Sequence, residues 1–122
     1  MRCLLIDDSP RYLRAARALL EREGVAVVGM VQTAEEALAQ VAELRPDVTL
    51  VDINLRGESG FDLARRLTSG DRPDRHSPVI LISSHSADDF EDLIESSPAA
   101  GFLDKSNLSA AAIASLVEAG GD

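Results

Sequence analysis

Five short apolar runs alternate along the chain with segments of helical periodicity. The runs are Cys3-Leu4-Leu5-Ile6, Val25 to Val31, Val48-Thr49-Leu50-Val51, Val79-Ile80-Leu81-Ile82 and Gly101-Phe102-Leu103. Short aliphatic and β-branched runs with little polar alternation are the pattern of strands buried on both faces. The segments between them carry helix punctuation. Ser9-Pro10 supplies an N-cap and a proline at the first helical position, Leu13, Ala16 and Leu20 line one face, and Gly24 is placed to end the helix. Thr33-Ala34-Glu35-Glu36 is a capping box ahead of the stripe Ala37, Leu38, Val41 and Leu44, which Pro46 stops. Phe61, Ala64 and Leu67 predict a third helix. Phe90, Leu93 and Ile94 predict a short fourth, opened by Ser86, and Leu108, Ala112, Ile113 and Leu116 predict a fifth.

Strict alternation of strand and helix implies right-handed crossovers and a parallel sheet covered on both faces. The expected fold is α/β, a flavodoxin-like doubly wound sheet of five strands in the order 2-1-3-4-5 with five helices. A chain of 122 residues suits one domain. With 45% hydrophobic residues but only 3% aromatic ones, its core must be built from Leu, Val, Ile and Ala. The net charge of −9 repels phosphate backbones and anionic lipid, so neither nucleic acid nor a membrane surface is expected to bind this chain directly. Cys3 is the only cysteine, which excludes an internal disulfide and a cysteine zinc site, and it reads as a small buried hydrophobe. No stretch is long enough to cross a bilayer, and the first apolar run meets Asp7-Asp8 too soon for a signal peptide, so the expected setting is cytoplasmic.

In an open parallel sheet, ligands bind beyond the carboxyl ends of the strands. The first strand ends in Asp7-Asp8, the third in Asp52, the fourth in Ser83-Ser84 and the fifth in Asp104-Lys105. The predicted order makes these four strands neighbours and leaves the second, which ends in nothing comparable, at an edge. Carboxylates, a hydroxyl and an ammonium should therefore converge on one rim. Crowded carboxylates repel, and a hard divalent cation resolves the conflict. An aspartate beside such a cation can act as nucleophile toward phosphorus, with Lys105 balancing charge and Ser83 donating a hydrogen bond. The pattern points to phosphoryl transfer to a carboxylate.

Over essentially the whole chain these residues resemble response-regulator receiver domains. The resemblance implies a receiver over residues 1–119, with 120–122 a tail or the start of a linker. It implies that Asp7 and Asp8 hold Mg²⁺ (Mn²⁺ being an alternative), that Asp52 is both a ligand and the phosphoacceptor, and that the Asn54 backbone carbonyl is a further ligand. Gly60 matches the glycine eight residues after the acceptor, Lys105 matches the family's lysine, and Ser83 and Phe102 match the switch pair. Asn54 and His85 fall at positions that tune dephosphorylation. The implied partner is a sensor histidine kinase or a histidine phosphotransfer protein. The implied output surface is helix 4, strand 5 and helix 5, which also serves homodimers. The implied activity is a switch limited to self-phosphorylation and self-dephosphorylation, not an enzyme with a substrate of its own.

Three positions depart from the pattern. Arg56 and Gly57 follow Leu55 where a proline is common, Ser84 stands where Ala or Gly is preferred, and Ser106 replaces the proline that follows the lysine through a cis bond. A cis bond before a residue other than proline costs about 2.5–4 kcal/mol, so Lys105-Ser106 is expected to be trans. His76 reads as an exposed loop residue. Arg11, Arg14 and Arg17 form a basic patch on the first helix, and Asp88, Asp89, Glu91, Asp92 and Glu95 make the fourth acidic. The arginines are candidates for docking a phosphotransfer domain. Two alternatives share the chemistry or the fold. A haloacid-dehalogenase-like phosphatase needs a second acid where Asn54 stands, and a phosphorylation-independent interaction module usually lacks part of the acidic and lysine set retained here.

Overall fold

The computed structural model describes residues 1–55, 57–68, 78–85 and 87–120. Among the described residues, seven strands and five α-helices follow one another as β1 (Arg2–Ile6), α1 (Pro10–Arg22), β2 (Ala26–Val31), α2 (Ala34–Leu44), β3 (Val48–Asp52), β4 (Asn54–Leu55), β5 (Glu58–Ser59), α3 (Gly60–Thr68), β6 (Val79–Ser83), α4 (Glu91–Glu95), β7 (Gly101–Asp104) and α5 (Ala110–Gly120). Single 3₁₀ turns precede α4 (Ala87–Phe90) and α5 (Lys105–Asn107). The main sheet is parallel, in the order β2-β1-β3-β6-β7, which is the expected 2-1-3-4-5 topology.

The helix ends obey the local chemistry. Ser9 Oγ accepts from the Tyr12 N–H at 3.2 Å and caps α1, with Pro10 at the first helical position. Thr33 caps α2 through the Glu36 N–H, and that helix ends at Arg45 in the left-handed region, ahead of Pro46.

Alternation along the central strands sorts their side chains into two cores. Leu4, Ile6, Val51, Val79 and Leu81 pack with Ala34 and Ala37 of α2 and Phe61, Leu63 and Ala64 of α3, and Phe90, Ile94 and Phe102 lie against this layer. Cys3, Leu5, Val48, Leu50, Ile80 and Ile82 face the other way, toward Leu13, Ala16 and Leu20 of α1 and Ile113 of α5. Burial pushes the Cys3 thiol up to about 12, so it stays a thiol and behaves as a hydrophobe.

Thr49 is fully buried in β3 and its hydroxyl has no partner among the described residues. An unsatisfied buried hydroxyl costs desolvation that the isosteric Val does not incur. Thr49→Val is therefore expected to raise the unfolding free energy by about 1 kcal/mol, read as a higher urea midpoint at unchanged slope.

Three details differ from the sequence expectation. Leu93 is half exposed, because α4 is a single helical turn that meets the core through Phe90 and Ile94. Leu108 is buried but precedes α5. Two residues after β3, the chain forms a small antiparallel hairpin, β4-β5, pairing Asn54 with Ser59 and Leu55 with Glu58 around Gly57 at φ 73°. Ser86, Arg56 and His76 lie outside the described residues.

Candidate functional site at the carboxyl rim

Asp7 follows β1 and Asp52 ends β3. Both continue the alternation that turns Cys3, Leu5, Val48 and Leu50 toward α1 and α5, and both are buried. Asp8 is half-buried beside them, and one carboxylate oxygen from each of Asp7, Asp8 and Asp52 lies within 4.8 Å of the others. Lys105 closes the cluster from the end of β7. Its Nζ is 2.6 Å from Asp7 Oδ2 and 3.4 Å from Asp52 Oδ2. The remaining oxygens are held by the backbone. Asp7 Oδ1 accepts from the Ser9 N–H at 2.8 Å, and Asp52 Oδ1 accepts from the Asn54 N–H at 3.1 Å. Three carboxylates and one ammonium leave the rim formally two charges negative.

These surroundings shift the ionisable groups. Burial raises the Asp52 carboxyl above its ordinary range, and the charge of Asp7 adds to it. The Asn54 N–H and the Lys105 ammonium pull the other way without cancelling the rise. Burial alone would lower Lys105, but its hydrogen bond to Asp7 and the charges of Asp52 and Asp7 outweigh it and hold the ammonium above the usual lysine value.

The loop after Lys105 is built without proline. Every peptide bond among the described residues is trans. The Ser106 N–H and hydroxyl both donate to Asp104 Oδ1, at 2.9 and 2.7 Å, which caps the 3₁₀ turn and holds the Asp104 carboxyl below its usual range. A proline at this position could make neither bond, so Ser106 anchors the lysine by a different device.

Gly60 explains how the acceptor strand joins α3. Its N–H donates to the Ile53 carbonyl at 2.9 Å, and a Cβ here would lie 2.6 Å from Ile53 Cα and 2.8 Å from the Asp52 carbonyl carbon. Only glycine permits that approach.

The other predicted residues lie elsewhere on the rim. Ser83 is buried at the end of β6 and its Oγ accepts from the His85 N–H at 2.9 Å. By alternation it belongs to the α2-to-α4 side, with Val79 and Leu81. Phe102 packs against that same core. Ser84, His85 and Asn54 are exposed, and the His85 ring meets Phe90 edge-on at 6.2 Å.

Tyr12 was not anticipated. Its ring centre lies 4.5 Å from Lys105 Nζ, and its hydroxyl is buried without a partner among the described residues. Burial first, then the charges of Asp7, Asp52 and Asp104, keep the phenol protonated well above the ordinary tyrosine range. An aromatic three residues past the N-cap of the helix that follows Asp7-Asp8 was the available signal.

A doubly wound five-stranded sheet carrying a carboxylate cluster and a lysine at its carboxyl edge is the architecture of a response-regulator receiver domain. The family model "Response regulator receiver domain" matches residues 3–118, and the chain belongs to that family. It is 31% identical over 120 residues to the response regulator GacA of Pseudomonas viridiflava, covering 98% of this chain and 53% of that protein. It is also 31% identical over 94 residues to protein-glutamate methylesterase/protein-glutamine glutaminase 2 of Methanospirillum hungatei JF-1, covering 76% of this chain and 25% of that protein. The chain thus spans about half, or less, of these curated relatives. Among solved structures, a LuxR-family two-component response regulator from Aurantimonas sp. SI85-9A1 superposes with a TM-score of 0.83 at 26% identity, over 96% of this chain and 84% of that one. Receiver domains of two-component systems receive phosphate from histidine kinases and bind Mg²⁺ at an acidic pocket. No helix among the described residues is long and apolar enough to cross a membrane.

Proposed function

We propose that this chain is a phosphorylation-driven switch in which Asp52 accepts a phosphoryl group from a phosphohistidine of a sensor kinase or a phosphotransfer protein. The observation that carries the reading is the convergence of Asp7, Asp8 and Asp52 within 4.8 Å of one another, with the Lys105 ammonium against two of them.

The donor set fits a divalent cation. It is all oxygen, it leaves a formal charge of two to neutralise, and its Asp8 member is partly exposed to solvent. Asp7, Asp8, Asp52 and the Asn54 backbone carbonyl would hold Mg²⁺, which supplies charge neutralisation of the transferring group. A carboxylate oxygen of Asp52 forms the new O–P bond as the P–N bond to the donor imidazole breaks, giving an acyl phosphate and neutral histidine. Lys105 turns its ammonium from the carboxylates to the incoming phosphoryl oxygens, and the Ser83 hydroxyl, whose oxygen accepts from the His85 N–H, donates its proton to them. Water later attacks phosphorus and restores Asp52, with Asn54 and His85 flanking its approach. Ser83 and Phe102 couple the event to the surface of α4, β7 and α5, where an output partner or a second copy binds.

The test is intact mass after incubation with Mg²⁺ and acetyl phosphate, beside Asp52→Asn. A labile, Mg²⁺-dependent adduct of one phosphoryl group is expected on the wild type and none on the variant. An adduct that persists on Asp52→Asn sinks the assignment. The variant also carries a stability signature. Because the Asp52 carboxyl is raised, the native state holds its proton more tightly than the unfolded chain, so this residue costs stability as pH climbs above the ordinary carboxylate range. Asp52→Asn should therefore melt higher than wild type at neutral pH in metal-free buffer, with the difference closing in acid. A lower melting point at neutral pH would contradict that electrostatic account.

A further inference from the structure

We infer that Tyr12 is a positioning residue for Lys105, its ring holding the ammonium in place for phosphoryl transfer; the inference rests on the function proposed above. Lys105 Nζ meets Asp7 at 2.6 Å, Asp52 at 3.4 Å and the Tyr12 ring centre at 4.5 Å. The two carboxylates are unsuited to fix the lysine throughout the reaction. One is the nucleophile, and both would be engaged by the cation. The third contact has no such conflict. An aromatic face attracts an ammonium without neutralising it and without competing for the cation.

The placement is built into the start of α1. Ser9 Oγ caps the Tyr12 N–H at 3.2 Å, while the Ser9 N–H donates to Asp7 at 2.8 Å, so one short turn orients both the carboxylate and the ring around the same lysine. The ring packs against the core layer that contains Leu13, Ala16 and Leu20. The Tyr12 hydroxyl finds no partner among the described residues, so the positioning resides in the π face.

The chain has one tyrosine and no tryptophan, so Tyr12 is also its own reporter in near-ultraviolet circular dichroism. The experiment measures acetyl-phosphate uptake against donor concentration for Tyr12→Phe, Tyr12→Leu and Tyr12→Met, each alone and combined with Lys105→Met. It also compares the tyrosine dichroism of wild type and Lys105→Met in metal-free buffer. Tyr12→Leu and Tyr12→Met should lower the maximal uptake rate about tenfold, and Tyr12→Phe, which restores the ring, should recover it to within about twofold. In the Lys105→Met background the same changes should have no further effect, and Lys105→Met should alter the tyrosine signal. Either ringless variant suffices if the other fails to fold. Losses that add in the double variants, a ringless variant as fast as wild type, or a Tyr12→Phe as slow as the ringless ones overturn the inference alone. Wild type that takes up no phosphoryl group overturns the proposed function and this inference with it.

Discussion

Lys105→Met is expected to slow phosphoryl uptake at Asp52 by about 100-fold or more, the usual effect of removing a charged donor aimed at a transferring group. The same variant should lose about 3 kcal/mol of stability at neutral pH in metal-free buffer, because breaking a buried ion pair strands its partner. Lys105 is largely enclosed and its ammonium faces two buried carboxylates. Removing it deletes both of its downward influences on Asp52, so that carboxyl, already raised by burial and by Asp7, rises further. The sign of the pH dependence follows. A carboxyl whose native pKa exceeds its unfolded one costs stability once pH passes the unfolded value. The deficit of Lys105→Met should thus widen from acid to neutral pH and shrink when Mg²⁺ is added. Urea titrations at acidic and neutral pH, with and without the metal, check both trends. A deficit equal at all pH values would mean that the lysine stem, not its charge, stabilises the rim.

Gly60→Ala is expected to be nearly as damaging, although Gly60 lies forty-four positions before Asp104, the charged residue of β7. The added methyl would sit 2.6 Å from Ile53 Cα and 2.8 Å from the Asp52 carbonyl carbon. Backbone on both sides of the clash cannot swing aside as a side chain can, so the β3-to-α3 connection must open. A cost of about 3 kcal/mol is expected, at the upper end for overpacking. The displaced Asp52 should also take up phosphoryl groups about 100-fold more slowly, as a small misplacement of a nucleophile does. Denaturation and acetyl-phosphate kinetics read the two effects separately. An alanine variant with wild-type values in both would show that the connection relaxes freely.

The central strands were legible because each is a run of apolar residues long enough to be read on its own, and the strand order followed from their alternation with capped helices. Asp7, Asp8, Asp52 and Lys105 were legible as a cluster for the same reason, since a parallel sheet brings its carboxyl ends to one rim. What escaped was set by contacts too short or too distant to leave a pattern. Asn54-Leu55 and Glu58-Ser59 pair over two residues each, below any periodic signal. The single turn of α4 cannot define an apolar face, so its spacing groups Leu93 with Phe90 and Ile94 although half of Leu93 is exposed. Tyr12 reads from sequence as one more large residue near a helix start, and its meeting with Lys105 is made ninety-three positions later in the chain. Ser106 looked like the loss of a proline, whereas its two donors to Asp104 supply a cap that proline lacks.

The alternation of the central strands has a consequence for how this protein can change over time. Asp7 and Asp52 stand on the α1 and α5 side, with Tyr12 packed in the same layer, while Ser83 continues the α2-to-α4 side, where Phe102 packs. The fully buried strands β3 and β6 run between the two layers as a partition. The two layers share no buried side chain and meet through the backbone of these strands. A lineage can therefore change the layer beneath its acidic cluster and the layer beneath Ser83 and Phe102 one at a time, and the rim is where the two must still agree.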